Sequence, residues 1–155
     1  MNTGLFTNPC ESYSEVLEQY CADIDKVDAS FFLHGFCGLF AFALHQATGW
    51  PMVSLYDPEE DKLGYMPNDF LFPVVHVFCA PRPGLFADCR GITDLEDQFT
   101  EEFEDFFVEP AYYCFQDEDY KPFLESIRRA MGSDMEPMLA FALDYIQAKE
   151  SYFKA

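Results

Sequence analysis

The sequence predicts an α+β domain in which a buried helix packs on a small antiparallel sheet and extra helices close the chain. Three observations carry this. The segment 36–48 is apolar nearly all round, short strand-like runs follow it, and amphipathic helical spacing returns towards the C-terminus. A chain of 155 residues suits one domain, with helix and sheet over about 12–116 and a helical extension over about 117–155. Half of the residues are hydrophobic and 18% aromatic, which supplies a core and argues against disorder.

In chain order, Ser12 with Glu15 three residues on forms a capping box. It opens a helix that places Tyr13, Val16, Leu17, Tyr20, Cys21 and Ile24 on one stripe. A second helix runs from Phe36 to Thr48 and is closed by Gly49. At about 100° per residue its side chains from Leu39 to Leu44 point in almost every direction, so it is expected to be central and buried. Strands are expected over Met52 to Tyr56, Val74 to Cys79 and Leu85 to Asp88. The last two are joined by Ala80-Pro-Arg-Pro-Gly84, a hairpin turn that makes the sheet antiparallel. Thr93 with Glu96 reads as another capping box, opening a helix that carries Leu95, Phe99, Phe103 and Phe106 until Pro110 stops it. Ala111 to Phe115 is a further strand. Two amphipathic helices follow, one with Tyr120, Phe123, Leu124 and Ile127 inward, the other with Met135, Met138, Leu139, Ala142 and Ile146.

Against 9 Lys and Arg stand 28 Asp and Glu, so the formal charge is 9 − 28 = −19. Direct contact with nucleic-acid phosphates or anionic lipid is thereby disfavoured. No uncharged apolar stretch reaches the roughly 18 residues of a membrane span, and the N-terminus has no basic region followed by an apolar run. Six cysteines occur without a Cys-x-x-Cys pair, which is simplest as free thiols in a reducing cytoplasm. No cofactor is expected, because phosphate-binding and dinucleotide glycine motifs are missing. No metal is expected either. His34-x-x-Cys37 and His76-x-x-Cys79 have zinc-like gaps, but residues three apart on a strand face opposite ways. The acidic run at Asp57 has Lys62 and Asn68 where a calcium loop needs glycine and glutamate.

The chemistry concentrates in three places. In His34-Gly-Phe-Cys37-Gly38 a cysteine occupies the first turn of the buried helix between glycines, where unpaired backbone N–H groups and the helix dipole favour a thiolate. His76 lies in the most strand-like run, Val74-Val-His-Val-Phe78. With the turn centred near Arg82, Asp88 is expected directly opposite it on the next strand, within reach of the imidazole. Taken singly, each residue reads as ordinary: a packed cysteine, a satisfied interior histidine, a turn-closing carboxylate. Their ordered coincidence points to nucleophilic catalysis.

That order resembles the papain-like cysteine hydrolase superfamily in its broad sense, including cell-wall amidases and endopeptidases, transglutaminases and arylamine acetyltransferases. It also resembles small bacterial and phage proteins with the pattern Gly35-Phe-Cys37-Gly-Leu-Phe40-Ala41-Phe-Ala43-Leu44, then His76-Val77, then Asp88-Cys-Arg-Gly91. The resemblance spans residues of about 30 to 92. It implies a papain-like fold and a catalytic triad of Cys37 as nucleophile, His76 as general base then acid, and Asp88 orienting the imidazole. The glutamine that papain places upstream of its cysteine is missing here. The Cys37 N–H with Ser30 or His34 is left to hold an oxyanion, and Gly38 gives a substrate carbonyl room.

The expected function is that of an intracellular thiol enzyme acting on an amide or acyl bond (peptidase, isopeptidase, deamidase or acyltransferase), with a protein or small amide as substrate. The alternative is a non-catalytic acidic inhibitor or decoy, such as a phage anti-defence protein, that binds a basic nucleic-acid-binding partner through its negative surface.

Overall fold

The computed structural model describes residues 37–56, 74–106 and 109–155. The helix expected from Ser12 lies outside the described residues. The elements are α1 (Cys37–Thr48), β1 (Met52–Tyr56), β2 (Val74–Cys79), β3 (Phe86–Asp88), β4 (Gly91–Thr93), α2 (Glu96–Thr100), β5 (Ala111–Cys114), α3 (Tyr120–Met131) and α4 (Met135–Ala148). Short 3-10 turns cover Glu101–Phe106, Asp117–Asp119, Gly132–Asp134 and Glu150–Phe153. This is an α+β fold: a five-stranded antiparallel sheet in the order β4-β3-β2-β1-β5, with three longer helices. Among the described residues no helix is long and apolar enough to cross a membrane.

The absence of a polar face on α1 has a direct cause. The sheet covers one side, where the Cys79 thiol donates to the Ala41 carbonyl at 3.3 Å. On another side is α4, whose Tyr145 meets Phe40 edge to face at 5.7 Å. Leu39 through Leu44 are therefore all buried. α3 closes over the first turn: a Cβ on Gly38 would come within 2.9 Å of the Phe123 ring. At the far end the Gly49 N–H returns to the His45 carbonyl at 2.7 Å, and His45 Nδ1 donates to the Trp50 carbonyl at 2.7 Å.

Strand alternation gives the sheet two unlike faces. Val53 pairs with Phe78 and Leu55 with His76, so these four share a face. α2 and the 3-10 turn after it cover that face. Phe99 stands 4.8 Å from both Phe78 and Phe86. Opposite to it, Met52, Val77, Cys79 and Ala87 lie buried on the α1 side.

Three expectations around the hairpin need correction. The third strand begins at Phe86 rather than Leu85, because the Leu85 N–H closes a turn onto the Arg82 carbonyl at 3.0 Å, with Gly84 at φ 87°. Gly91 to Thr93 forms a fourth strand that was not foreseen. Thr93 thus ends a strand instead of capping a helix: its hydroxyl accepts the Leu95 N–H at 3.1 Å, and α2 starts at Glu96 without a side-chain cap. The helix expected to reach Pro110 is five residues of α2 followed by the 3-10 turn Glu101–Phe106.

The C-terminal helices belong to the same core. Met135, Met138, Phe141, Ala142, Tyr145 and Ile146 are buried in one cluster with α1 and the strands. Because Phe40 packs against Tyr145 and Phe153, Phe40→Ala should destabilise the protein by about 3–5 kcal/mol. The midpoint of urea unfolding checks this: it should fall with the slope of the transition unchanged.

Candidate active site

β2 and β3 share a single ladder pair, Cys79↔Ala87. The turn between them is centred one residue later than Arg82, which slides the register by two. Continuing the ladder places Asp88 opposite Phe78, so the expectation of a direct His76–Asp88 pair is corrected to a diagonal one. A slip of two preserves the face, and the diagonal distance suits an imidazole and a carboxylate. His76 Nε2 and Asp88 Oδ2 are 2.8 Å apart, with His76 fully buried and Asp88 3% exposed.

The Cys37 thiol, in the first turn of α1, is the other side chain that acts on the imidazole at close range. With Nε2 taken by Asp88, Nδ1 is left to the sulfur. It is buried without a well-aligned partner, as is common before a substrate tightens such a site. The Val77 backbone amide adds to the local field that lowers the thiol. Cys37, His76 and Asp88, far apart in the chain, thus meet in one place.

Their environments pull them in opposite directions. Burial pushes the Cys37 thiol up, but the hydrogen bond and charge of His76, with the Val77 amide, more than offset this, and the net direction is down. Burial alone would push His76 down; its bond to Asp88 and the nearby Cys37 thiol prevail and hold it up at about 9. Asp88 is raised by burial and lowered further by His76 and Arg90, ending well below the usual carboxylate range. All three shifts favour thiolate, imidazolium and carboxylate. The neighbouring thiols are the contrast: burial pushes both Cys79 and Cys89 up. Cys37, Cys79 and Cys114 are free thiols, and only Cys37 of these sits beside a base.

An aromatic wall shields the pair from water. Phe103 stacks on the imidazole at 4.3 Å and Phe99 tilts over it at 5.8 Å. Both were expected to be core residues, and both are buried. Gly38, expected to leave space for substrate, lies under Phe123 and Ile127, so its missing Cβ accommodates α3. Ser30 and His34 lie outside the described residues. Among the described residues no three His, Cys, Asp or Glu side chains gather as a metal site.

Comparison with known proteins brings no match: no family model, no curated protein and no solved structure is similar to the chain. Sequence reasoning missed two contributors, the Val77 amide and the Arg90 side chain on Asp88. A backbone donor leaves no trace in a sequence. Arg90 did have one, its place two residues after the carboxylate.

The raised His76 implies a pH dependence of stability. A base whose folded value lies above its unfolded one stabilises fully below about pH 6.5 and loses that contribution as pH rises through about 9. The stability difference between wild type and Asp88→Asn should therefore shrink by about 1–3 kcal/mol from pH 6 to pH 9.5. Urea titrations of both proteins at those two pH values measure it.

Proposed function

We propose that this protein is a thiol enzyme acting on an amide or acyl bond, with Cys37 as nucleophile, His76 as general base and acid, and Asp88 holding the imidazole. The observation that carries the reading is the buried His76–Asp88 hydrogen bond at 2.8 Å, with the Cys37 thiol beside the same ring. A helix-borne cysteine meeting histidine and aspartate on successive strands also agrees with a papain-like organisation. Free thiols at Cys37, Cys79 and Cys114 suit a reducing compartment.

In this mechanism the Cys37 proton passes to His76, and the thiolate attacks the substrate carbonyl carbon. Backbone N–H groups in the first turn of α1 receive the oxyanion. As the tetrahedral intermediate collapses, the C–N or C–O bond breaks and His76 gives its proton to the leaving group, which leaves a thioester on Cys37. Water or an acceptor amine then attacks the thioester, with His76 taking its proton and returning it to the sulfur. Asp88 stays ionised throughout and keeps the ring in the orientation that serves Cys37.

Alkylation of Cys37 by iodoacetamide against pH tests the reading. Wild type should label rapidly from about pH 6 upward, and His76→Ala should lose that labelling until about pH 8. Slow labelling of wild type that rises only above pH 8 would overturn it.

A second reading rests on charge. From Gly91 to Tyr120 the chain has six Glu and five Asp and no Lys or Arg, and Glu96, Asp97, Glu101, Glu102 and Glu104 are exposed. Such a surface suits a basic protein partner whether or not chemistry follows. On that reading a basic partner stays bound when Cys37 is replaced by alanine and is released by salt, and pull-down at low and high ionic strength decides it.

A further inference from the structure

Asp88 is held by more than His76. Arg90 Nη2 donates to Oδ2 at 2.7 Å, and Nε lies 3.1 Å from Oδ1 and 3.2 Å from Oδ2. The Arg90 backbone N–H donates to Oδ1 at 2.9 Å. The guanidinium thus spans both carboxylate oxygens, leaving His76 on the one oxygen, Oδ2, that it shares with Nη2. Any rotation of the carboxylate that moves Oδ2 off the imidazole also breaks the guanidinium bonds.

Arg90 is itself fixed. Nη2 also donates to the Phe99 carbonyl at 3.2 Å, and the guanidinium carbon lies 5.0 Å from the Phe99 ring centre and 5.5 Å from that of Phe103. These are the two rings that cover His76. One aromatic pair therefore sets the heights of the base and of the cation behind it. The placement is local in origin: Cys89 and Arg90 form the two-residue connection of the β3–β4 hairpin, in which Asp88 pairs with Gly91.

We infer that Arg90 is a positioning residue for the candidate triad, fixing the plane of the Asp88 carboxylate so that the imidazole presents Nδ1 to Cys37. The inference rests on the thiol-enzyme reading above. It adds to that reading a fourth residue which touches neither the sulfur nor the substrate carbonyl and acts through Asp88. The charged and titratable groups of the described residues around this chain of contacts are Cys37 from α1, His76 from β2, Asp88, Cys89 and Arg90 from the hairpin, and Glu102 from the 3-10 turn. Arg90 is the cation of fixed charge among them. Its loss leaves the negative charge of Asp88 less compensated, and that charge opposes the Cys37 thiolate, so thiolate formation moves to higher pH.

The structure also supplies a means of restoring what a substitution removes. A cavity of about 160 Å³ opens beside the guanidinium, lined in part by Asp88, Arg90, Gln98 and Phe99. A free guanidinium ion can enter there and occupy the space vacated by the side chain.

The test is the pH profile of Cys37 alkylation by iodoacetamide in Arg90→Ala and Arg90→Lys, with folding monitored by circular dichroism. In Arg90→Ala the plateau rate should fall about tenfold or more, and the acid limb should move up by about half a pH unit or more. Guanidinium chloride, well below denaturing concentration, should recover the rate where an equal concentration of sodium chloride does not. Arg90→Lys keeps the charge without the fork, so its acid limb should stay near wild type while its plateau remains low. Wild-type rate and acid limb in Arg90→Ala, or recovery no better with guanidinium than with sodium, overturn the inference. If Arg90→Ala fails to fold, Arg90→Lys decides: a full plateau overturns the inference and a low one at an unshifted limb supports it. A wild-type profile without an acid limb, or one insensitive to His76→Ala, instead sinks the thiol-enzyme reading itself, whatever the Arg90 variants do.

Discussion

Keeping a carboxylate ionised in the core is the constraint around which the site is arranged. Asp88 is 3% exposed, and an isolated charge at such depth is costly enough that it would take up a proton instead. Two cationic partners and a backbone amide prevent this: His76 on one oxygen, the Arg90 fork across both, and the Arg90 N–H on Oδ1. Each partner then needs support of its own. The imidazole is stacked against Phe103, the guanidinium lies near the same ring, and the hairpin that presents Asp88 and Arg90 together is only two residues wide at its turn. Removing one partner leaves the others with an uncompensated buried charge, so the group behaves as a unit rather than as a sum of pairs.

The overall charge of −19 opposes a thiolate, yet the balance at Cys37 goes the other way. Distance and screening decide the contest. The exposed carboxylates of the 91–120 segment face water and salt, where a charge beyond about 8–10 Å is largely screened. His76 acts on the sulfur at close range from a dry site. Asp88 pushes the Cys37 thiol up, but by less than His76 brings it down. Local pairing in low dielectric thus prevails over a large but distant field.

Much of this was legible in the chain, and the failures have specific causes. The all-round apolar segment of α1 correctly implied a helix covered on several sides, since burial is the only state such a surface tolerates. The strand-like run Val74–Cys79 and the Pro-Gly turn revealed the hairpin. The register was missed because it depends on which residues the turn uses: Arg82 to Leu85 closes by a hydrogen bond, moving the centre by one and the pair by two. β4 leaves no signal in the chain because Gly91-Ile-Thr93 is too short for any periodicity, and Thr93 with Glu96 imitates a helix cap. Phe141 and Tyr145 are buried beyond the stripe assigned to α4, because that helix faces α1 as well as the C-terminal turn and so buries a wider arc.

The C-terminal segment, which in sequence looks like an appendage, is tied to the loop that carries Asp88. The Tyr145 hydroxyl donates to the Cys89 carbonyl at 3.1 Å, directly after the carboxylate. The Tyr152 carbonyl lies 3.3 Å from the position a Cβ on Gly91 would occupy, so glycine at that position lets the last 3-10 turn close on the hairpin. Phe153 is buried against Phe40, which belongs to the same helix as Cys37. The tail therefore touches both halves of the site, the helix bearing the thiol and the hairpin bearing the carboxylate. β2 and β3 share only one ladder pair, which leaves little hydrogen bonding to hold those halves in register. Packing of α4 and the final turn supplies that restraint from behind. The last two helical elements thus brace the helix bearing the thiol against the hairpin bearing the carboxylate.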